Sequence, residues 1–438
     1  MTIAVMTRPI ARQAWLPRLL AGPGGHQAIG LLEHEQIHGL LPLPELRGRA
    51  QRDSALRLID VIERSGLTGR GGAGFPTGRK LRSVASGRGR PVVVANGAEG
   101  EPASAKDRLL LSRSPHLVLD GISLAAYAVG ADRAFLALHK REARLASGLE
   151  AAAAARAAAG IDTVPIEIVG LPGRYVASEQ SAIVQYLNGG AALPTFSPPR
   201  THERGFNGRP TLVNNVETLA HIALIARHGD QWFRTAGVPG AAGTMLVTVN
   251  GAVARPGVYE VELGTPIGAV LMTAGGLTER PQAVLTGGYF GTWLPIDLAW
   301  QLPLTHRDVK AVGGALGAGI LVVLPDTSCG LAETARVVRY LAGETAGQCG
   351  PCVFGLPALA DALADLAYQG GRTVRQIEAL AGLVAGRGAC KHPDGATQLV
   401  RSALAAFDAD VAWHQERGPC YGIGQAPILP VPGDMADW

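Results

Sequence analysis

The chain has 438 residues, 47% hydrophobic and 17% charged, which describes a folded protein with room for two or three cores and excludes a disordered one. A net charge of +4 is too small an excess to point to nucleic acid or anionic lipid as a partner. No run of eighteen apolar residues is present, and the first residues lack a continuous apolar stretch with a small-residue cleavage site, so neither a spanning helix nor a secretory signal is expected.

In chain order, residues 1–50 are punctuated by Pro and Gly and read as a peripheral N-terminal arm. Residues 54–65 space Leu56, Leu58, Ile59 and Ile62 as a helix does. The Gly-rich run GLTGRGGAGFPTGRK follows, and then Val92–Val94 read as a buried strand ending in the polar loop NGAEGEP. Helices are expected at 115–129 and 141–159 around a strand, AFLALH, with another strand in IDTVPIEIVG. SEQSAIVQYLNG reads as a helix with Ser178 as its N-cap, and NNVETLAHIALIARHG as a further amphipathic helix. Strands alternating with helices predict an α/β domain over residues 51–240. TMLVTVNGAVARPGVYEVELG is strand, tight turn and strand, followed by the helical piece PIGAVLMTAGG, so residues 241–328 read as a small α+β module. Residues 329–438 are mostly helical.

The Gly-rich run contains Gly69-Arg70-Gly71-Gly72-Ala73-Gly74, a literal G-x-G-x-x-G. A dinucleotide fingerprint needs a strand before it and a helix opening on it. Here the preceding segment is helical, so the Rossmann reading fails on order. A P-loop fails too, because the run ends Gly78-Arg79-Lys80 without Gly-Lys-Ser/Thr. A Gly-rich turn without a ligand stays open on this segment alone. Asn96, Glu99 and Glu101 stand at a strand end, where open α/β sheets bind ligands. Tyr175, Ser178, Glu179 and Gln180 stand at a helix start, and Asn214 and Asn215 just before another. Backbone N–H groups of the glycines suit a phosphate, Lys80 supplies a positive charge, and neighbouring amides both donate and accept.

The motifs GRGGAGFPTGRK, NGAEGEPASAKDR, GRYVASEQ, PTLVNNVETLA and ETAGQCGPC, in that order across about residues 50 to 410, carry a resemblance. The chain resembles the F-type, NADH-oxidising flavoprotein subunit of respiratory complex I, also found in bidirectional hydrogenases and NAD-linked formate dehydrogenases, as a divergent member. The resemblance implies an FMN-binding α/β domain, a ubiquitin-like β-grasp (SLBB-like) module and a C-terminal helical bundle holding an iron–sulfur cluster. It places Gly69, Arg70, Gly71, Gly72, Lys80 and Asn96 on the FMN, together with Glu99, Tyr175, Glu179, Asn214, Asn215 and Thr218. Phe75, Glu101, Gln180 and Arg200 fall on the nicotinamide dinucleotide side, with Glu101 orienting the nicotinamide and no acid–base residue carrying the hydride. NADH or NADPH is the implied substrate. Other redox subunits, with a ferredoxin-like or thioredoxin-like iron–sulfur partner, are the implied partners. The implied location is cytoplasmic, held at the inner membrane face only through such partners.

Several positions depart from the family pattern: Ala98, Gln180 and Arg200 on the nicotinamide side, and Ala346 where the first cluster cysteine belongs. Phe196 or Phe206 would have to replace a lost stacking aromatic. Of the five cysteines, Cys349, Cys352 and Cys390 remain as cluster ligands, and a C-x-x-C with a spaced third Cys favours metal over disulfides in a reducing compartment. Iron–sulfur clusters prefer four cysteines. A fourth ligand from His392, a three-iron cluster, a solvent-ligated iron and no cluster are the alternatives, with Cys329 and Cys420 as further candidates. The leading expectation is an electron-transfer protein oxidising NADH or NADPH at FMN. The alternative is a degenerate scaffold that keeps the fold without oxidising NADH.

Overall fold

The computed structural model describes residues 16–22, 28–43, 48–371 and 373–432. Much of the expected N-terminal arm lies outside the described residues. The stretch around Arg18 inside them is not peripheral. Glu260 accepts from the backbone N–H groups of Arg18, Leu19 and Leu20, the Arg18 guanidinium donates to Phe233 O at 3.1 Å, and Leu19 is fully buried. A short helix, α1 (Leu31–His38), then pairs His34 with the buried Asp120.

Helix α2 (Gly48–Ser65) buries Ile59 and Ile62 as the periodicity predicts, but Ala55 joins them in place of Leu56, which is exposed, and Leu58 is only partly buried. The Gly-rich loop follows and closes on itself through a Thr68–Pro76 bridge and a Gly69 N–H donated to Phe75 O. It opens into α3 (Thr77–Ala85), so the loop is flanked by helices on both sides. Strand β1 (Val92–Asn96) leads through the 97–105 loop to α4 (Lys106–Arg113) and α5 (Pro115–Val129). Strand β2 (Ala134–His139), α6 (Ala143–Ala158), β3 (Ile166–Leu171) and α7 (Gln180–Leu187) come next. Strand β4 (Thr211–Asn215) runs directly into α8 (Val216–Phe233). The four strands form an all-parallel sheet in the order β3-β2-β1-β4. The inner strands are nearly continuous apolar runs, as a sheet covered on both faces requires.

A two-residue hairpin, β5 (Gly237–Val238) and β6 (Ala241–Ala242), precedes the second sheet. That sheet comprises β7 (Thr244–Gly251), β8 (Gly257–Glu262), β9 (Pro281–Thr286), β10 (Thr292–Pro295) and β11 (Ile320–Pro325), in the order β10-β9-β11-β7-β8. Parallel β7 and β11 lie inside, with antiparallel neighbours, and α9 (Ile267–Thr273) packs its buried Ile267, Val270 and Leu271 on the sheet. This is the expected β-grasp arrangement, with short helices α10 (Ile296–Ala299) and α11 (His306–Ala311) between strands.

Among the described residues, five α-helices follow: α12 (Gly330–Gly343), α13 (Leu356–Gln369), α14 (Val374–Val384), α15 (His392–Ala406) and α16 (Asp408–Arg417). Residues 351–369 are long and apolar enough to cross a membrane by composition. Here they form a bundle helix whose Leu356, Leu359, Leu363 and Leu366 are buried against α12 and its neighbours. The bundle shares its core with the β-grasp module: the Trp293 ring packs against Phe407, and its indole N–H donates to Thr334 Oγ1 at 3.0 Å.

Candidate functional site

The C-terminal ends of β1 and β4 lie side by side, Ala95 opposite Asn214 and Asn96 opposite Asn215. A cavity of about 650 Å³ opens beyond them, within the range of small-molecule sites. The Gly-rich loop forms one wall with Gly69, Gly71, Gly72 and, at the rim, the half-exposed ring of Phe75. Asn96, Glu99 and Glu101 reach it from the β1 side, and Tyr175, Glu179 and Gln180 from the start of α7. Lys80, Asn214, Asn215 and Thr218 also line it.

Two of the expected residues are placed differently. The Arg70 guanidinium turns away from the cavity and donates to Thr244 O, at 3.2 and 3.0 Å, and to Thr68. Burial lowers its pKa and Glu217 opposes that. Only its backbone faces the site side, donating to Thr218 Oγ1 at 2.9 Å. Arg70 therefore anchors the loop to the β-grasp module. Arg200 is exposed and not among the cavity-lining residues, and its backbone N–H donates to Glu203 at 2.9 Å. The two suggested replacement aromatics are not among the cavity-lining residues either: Phe196 is exposed and Phe206 is buried against Phe135. An aromatic that the sequence did not suggest, Phe290 from the β9–β10 turn, lines the cavity beside Tyr175, their rings 5.0 Å apart.

Bonding separates residues that build the site from residues left free to bind. Glu99 accepts from Ser104 Oγ and from the N–H groups of Asp107 and Arg108, so it seats the first turn of α4. Glu179, and not Ser178, caps α7, accepting from Ser181 and Ala182 N–H. The Ser178 hydroxyl donates to Tyr175 O instead. Asn96 donates to Ser178 O at 2.9 Å and accepts from Ala98 N–H. Asn215 caps α8 and donates to Asp107 at 2.7 Å. Sequence reasoning missed a buried ion group behind this wall, in which Lys106 Nζ lies 2.7 Å from Asp107 and 2.9 Å from Glu217. Burial opposes the Lys106 charge, but the two carboxylates outweigh it and raise its pKa. Glu217 also accepts from Leu246 N–H on β7 at 2.9 Å.

What remains free faces the cavity. The Lys80 ammonium donates to Val213 O and, at 3.3 Å, to Gln180 Oε1, and no carboxylate pairs with it among the described residues. Burial pushes it down to about 8. Asn214 Nδ2 is a buried donor without a partner. Opposite, Glu101 accepts from Tyr175 OH at 3.0 Å and Tyr289 N–H at 2.9 Å, its other oxygen is unpartnered, and burial pushes it up to about 7. An uncompensated cation, a free donor and a glycine wall suit an anionic, phosphate-bearing cofactor, so these residues fit FMN.

Cys390 and His392 also line this cavity. Cys349, Cys352 and Cys390 lie close enough to perturb one another electrostatically, and Cys352 accepts from the Ala346 N–H. Three soft thiol donors fit three corners of an iron–sulfur cluster, with Ala346 beside them supplying backbone and no fourth sulfur. His392 donates Nε2–H to Leu341 O at 2.8 Å and packs on Tyr175 and Phe290, while its Nδ1 is buried and free.

With this geometry in hand, comparison with known proteins adds the lineage. Residues 62–224 match the family described as the Nuo51 FMN-binding domain, 246–288 the SLBB domain, and 332–414 the NADH-ubiquinone oxidoreductase-F iron-sulfur binding region. The chain is 31% identical over 413 residues to the second F-type subunit of NADH-quinone oxidoreductase of Rhizobium meliloti (strain 1021), covering 91% of this chain and 96% of that protein. It is 33% identical over 372 residues to the F-type subunit of NADH-quinone oxidoreductase of Streptomyces coelicolor, covering 82% of each. Among solved structures, a chain of NAD+-reducing [NiFe]-hydrogenase in the H2-reduced state aligns with TM-score 0.77 and 31% identity. That alignment covers 84% of this chain and 64% of the hydrogenase chain. The chain belongs to the family of F-type subunits of NADH-quinone oxidoreductase.

Proposed function

We propose that the chain is the electron-entry component of a larger redox assembly, taking hydride from NADH at FMN and passing electrons singly toward the Cys349/Cys352/Cys390 region. The observation that carries this reading is one continuous cavity reaching from the Gly-rich loop and Lys80 to Cys390. FMN held there by the Gly-rich loop and Lys80 would supply the conversion of a hydride into single electrons, and a cluster held by Cys349, Cys352 and Cys390 would supply their relay.

This chain's own residues do the rest. Lys80 and the free Asn214 amide hold the anionic cofactor, and Gln180, a neutral amide, leaves the Lys80 charge available for it. Phe75 and Phe290 bound the nicotinamide approach, and Glu101, held by Tyr175 and Tyr289, orients it through its unpartnered oxygen. Partner subunits of ferredoxin-like or thioredoxin-like iron–sulfur type accept the electrons, and through them the chain sits at the inner membrane face. The related proteins give no support to the scaffold alternative.

The test is anaerobic stopped-flow mixing of the flavin-loaded chain with NADH and with NADPH. Rapid bleaching of the flavin by NADH, slower with NADPH, is expected. A chain that neither retains nor takes up FMN overturns the proposal, and bleaching by NADPH alone overturns its nucleotide assignment.

A further inference from the structure

Three potential metal ligands lie apart from the residues that line the flavin cavity. Cys329 is the N-cap of α12, His414 lies on α16, and Cys420 follows α16 in the C-terminal tail. Their ligand atoms all lie within 4.8 Å of one another, and among the described residues no other group of three or more His, Cys, Asp or Glu is gathered so tightly. Cys329 Sγ is 3.6 Å from His414 Nε2, and the Cys420 N–H points at the same nitrogen from 3.3 Å. Cys329 and His414 are 2% and 0% exposed. His414 Nδ1 is buried without a hydrogen-bond partner, so the ring is not held there as a fully satisfied core histidine. Cys329 and Cys420 both fall outside the matched iron–sulfur region of 332–414.

We propose that Cys329, His414 and Cys420 form a second metal site, for zinc, separate from the iron–sulfur centre. Two sulfurs and one imidazole nitrogen suit zinc, whereas calcium and magnesium demand oxygen ligands. Water or an added ligand completes the tetrahedron. Binding deprotonates the two thiols, each forming a sulfur–zinc bond as its proton passes to solvent, and the Nε2 lone pair now held by the Cys420 N–H turns to the metal. No oxidant is required. The ion clamps the tail onto the start of α12, where the chain already presses close: a Cβ at Gly422 would lie 2.7 Å from Cys329 N.

The test uses the full chain purified anaerobically, with zinc and iron quantified separately by mass spectrometry. About one zinc per chain is expected in the wild type and in Cys349→Ser, and none in Cys420→Ser, whose iron content stays at the wild-type level. Cys420 is only half-buried, so this variant is expected to fold, and circular dichroism checks that it has. Zinc-edge X-ray absorption should show two sulfurs at about 2.3 Å and one nitrogen at about 2.0 Å, and cobalt substitution a thiolate charge-transfer band that Cys420→Ser abolishes. The proposal is overturned by a wild type that holds no zinc and gives no cobalt band. Zinc retained in folded Cys420→Ser, iron lost there instead of zinc, or a Cys329–Cys420 disulfide in the anaerobic protein would each overturn it as well.

Discussion

Replacing Lys80 by Met separates the energetics of the empty flavin site from those of the filled one. The ammonium is held at about 8 instead of its ordinary 10.5 by burial. At 1.36 kcal/mol per pH unit, that corresponds to up to about 3 kcal/mol by which the charged lysine destabilises the flavin-free fold at neutral pH. A lysine whose folded pKa is depressed withholds this stability below pH 8 and returns it as the pH climbs toward 10.5. The flavin-free wild type is therefore expected to resist urea better at pH 10 than at pH 8, and K80M to lose that slope while being the more stable at pH 7. Flavin binding should move oppositely. A hydrogen bond to a charged group contributes about 1.5–3 kcal/mol, so K80M is expected to bind FMN roughly ten- to a hundredfold more weakly. Fluorescence titration of apoprotein with FMN reads the affinity, and urea denaturation reads the stability. Unchanged FMN affinity in K80M, with the pH slope still present, would refute the reasoning.

Three further outcomes follow. Glu101, raised by burial to about 7, favours the fold while protonated, so its contribution is present below its unfolded value near 4.5 and is lost as the pH rises to 7. E101Q should flatten urea stability between pH 5 and 7 and remove any inflection near pH 7 in NADH-driven flavin reduction. Gly74 has φ +62, and an added Cβ would lie 2.5 Å from His306 Nε2, so Gly74→Ala should destabilise the chain by about 1–3 kcal/mol and lower flavin content on purification. Ala346→Cys restores a fourth sulfur beside Cys352, so iron and sulfide per chain should rise and the reduced electron paramagnetic resonance signal should sharpen; iron content unchanged from wild type counts against Ala346 as the missing corner.

Legibility followed the length scale of the interactions. β1, β2 and the helix α5 were readable because apolar runs and periodicity are local. Helix α3 was missed because it is nine residues long and carries Gly78 in its first turn. Ser178 looked like an N-cap by residue type, but the Tyr175 carbonyl claimed its hydroxyl and left the role to Glu179. Arg70 stood inside the correct motif, yet its side chain answers to Thr244, far away in sequence, which no spacing rule reports. The arm near Arg18 read as peripheral because its partner, Glu260, lies on a strand of another domain. Phe290 gave no signal before the β9–β10 turn was folded against Tyr175. The wall was thus written in motifs, while the orientation of its side chains was set by long-range packing.

The attachment of the Gly-rich loop to the β-grasp module has a consequence for how such chains can be rearranged. Arg70 reaches from the loop to Thr244, Gly72 bridges to Gly317, and Glu217 at the start of α8 accepts from Leu246 on β7. The cofactor wall and the module are therefore one mechanical part, although their strands belong to different sheets. A chimaera that imports the module from a relative must import a loop fitted to it, and a truncation ending before Thr244 keeps the flavin motifs yet forfeits the support that shapes them. The unit that can be exchanged between relatives is loop plus module, and a recombination breakpoint near residue 240 cuts through it.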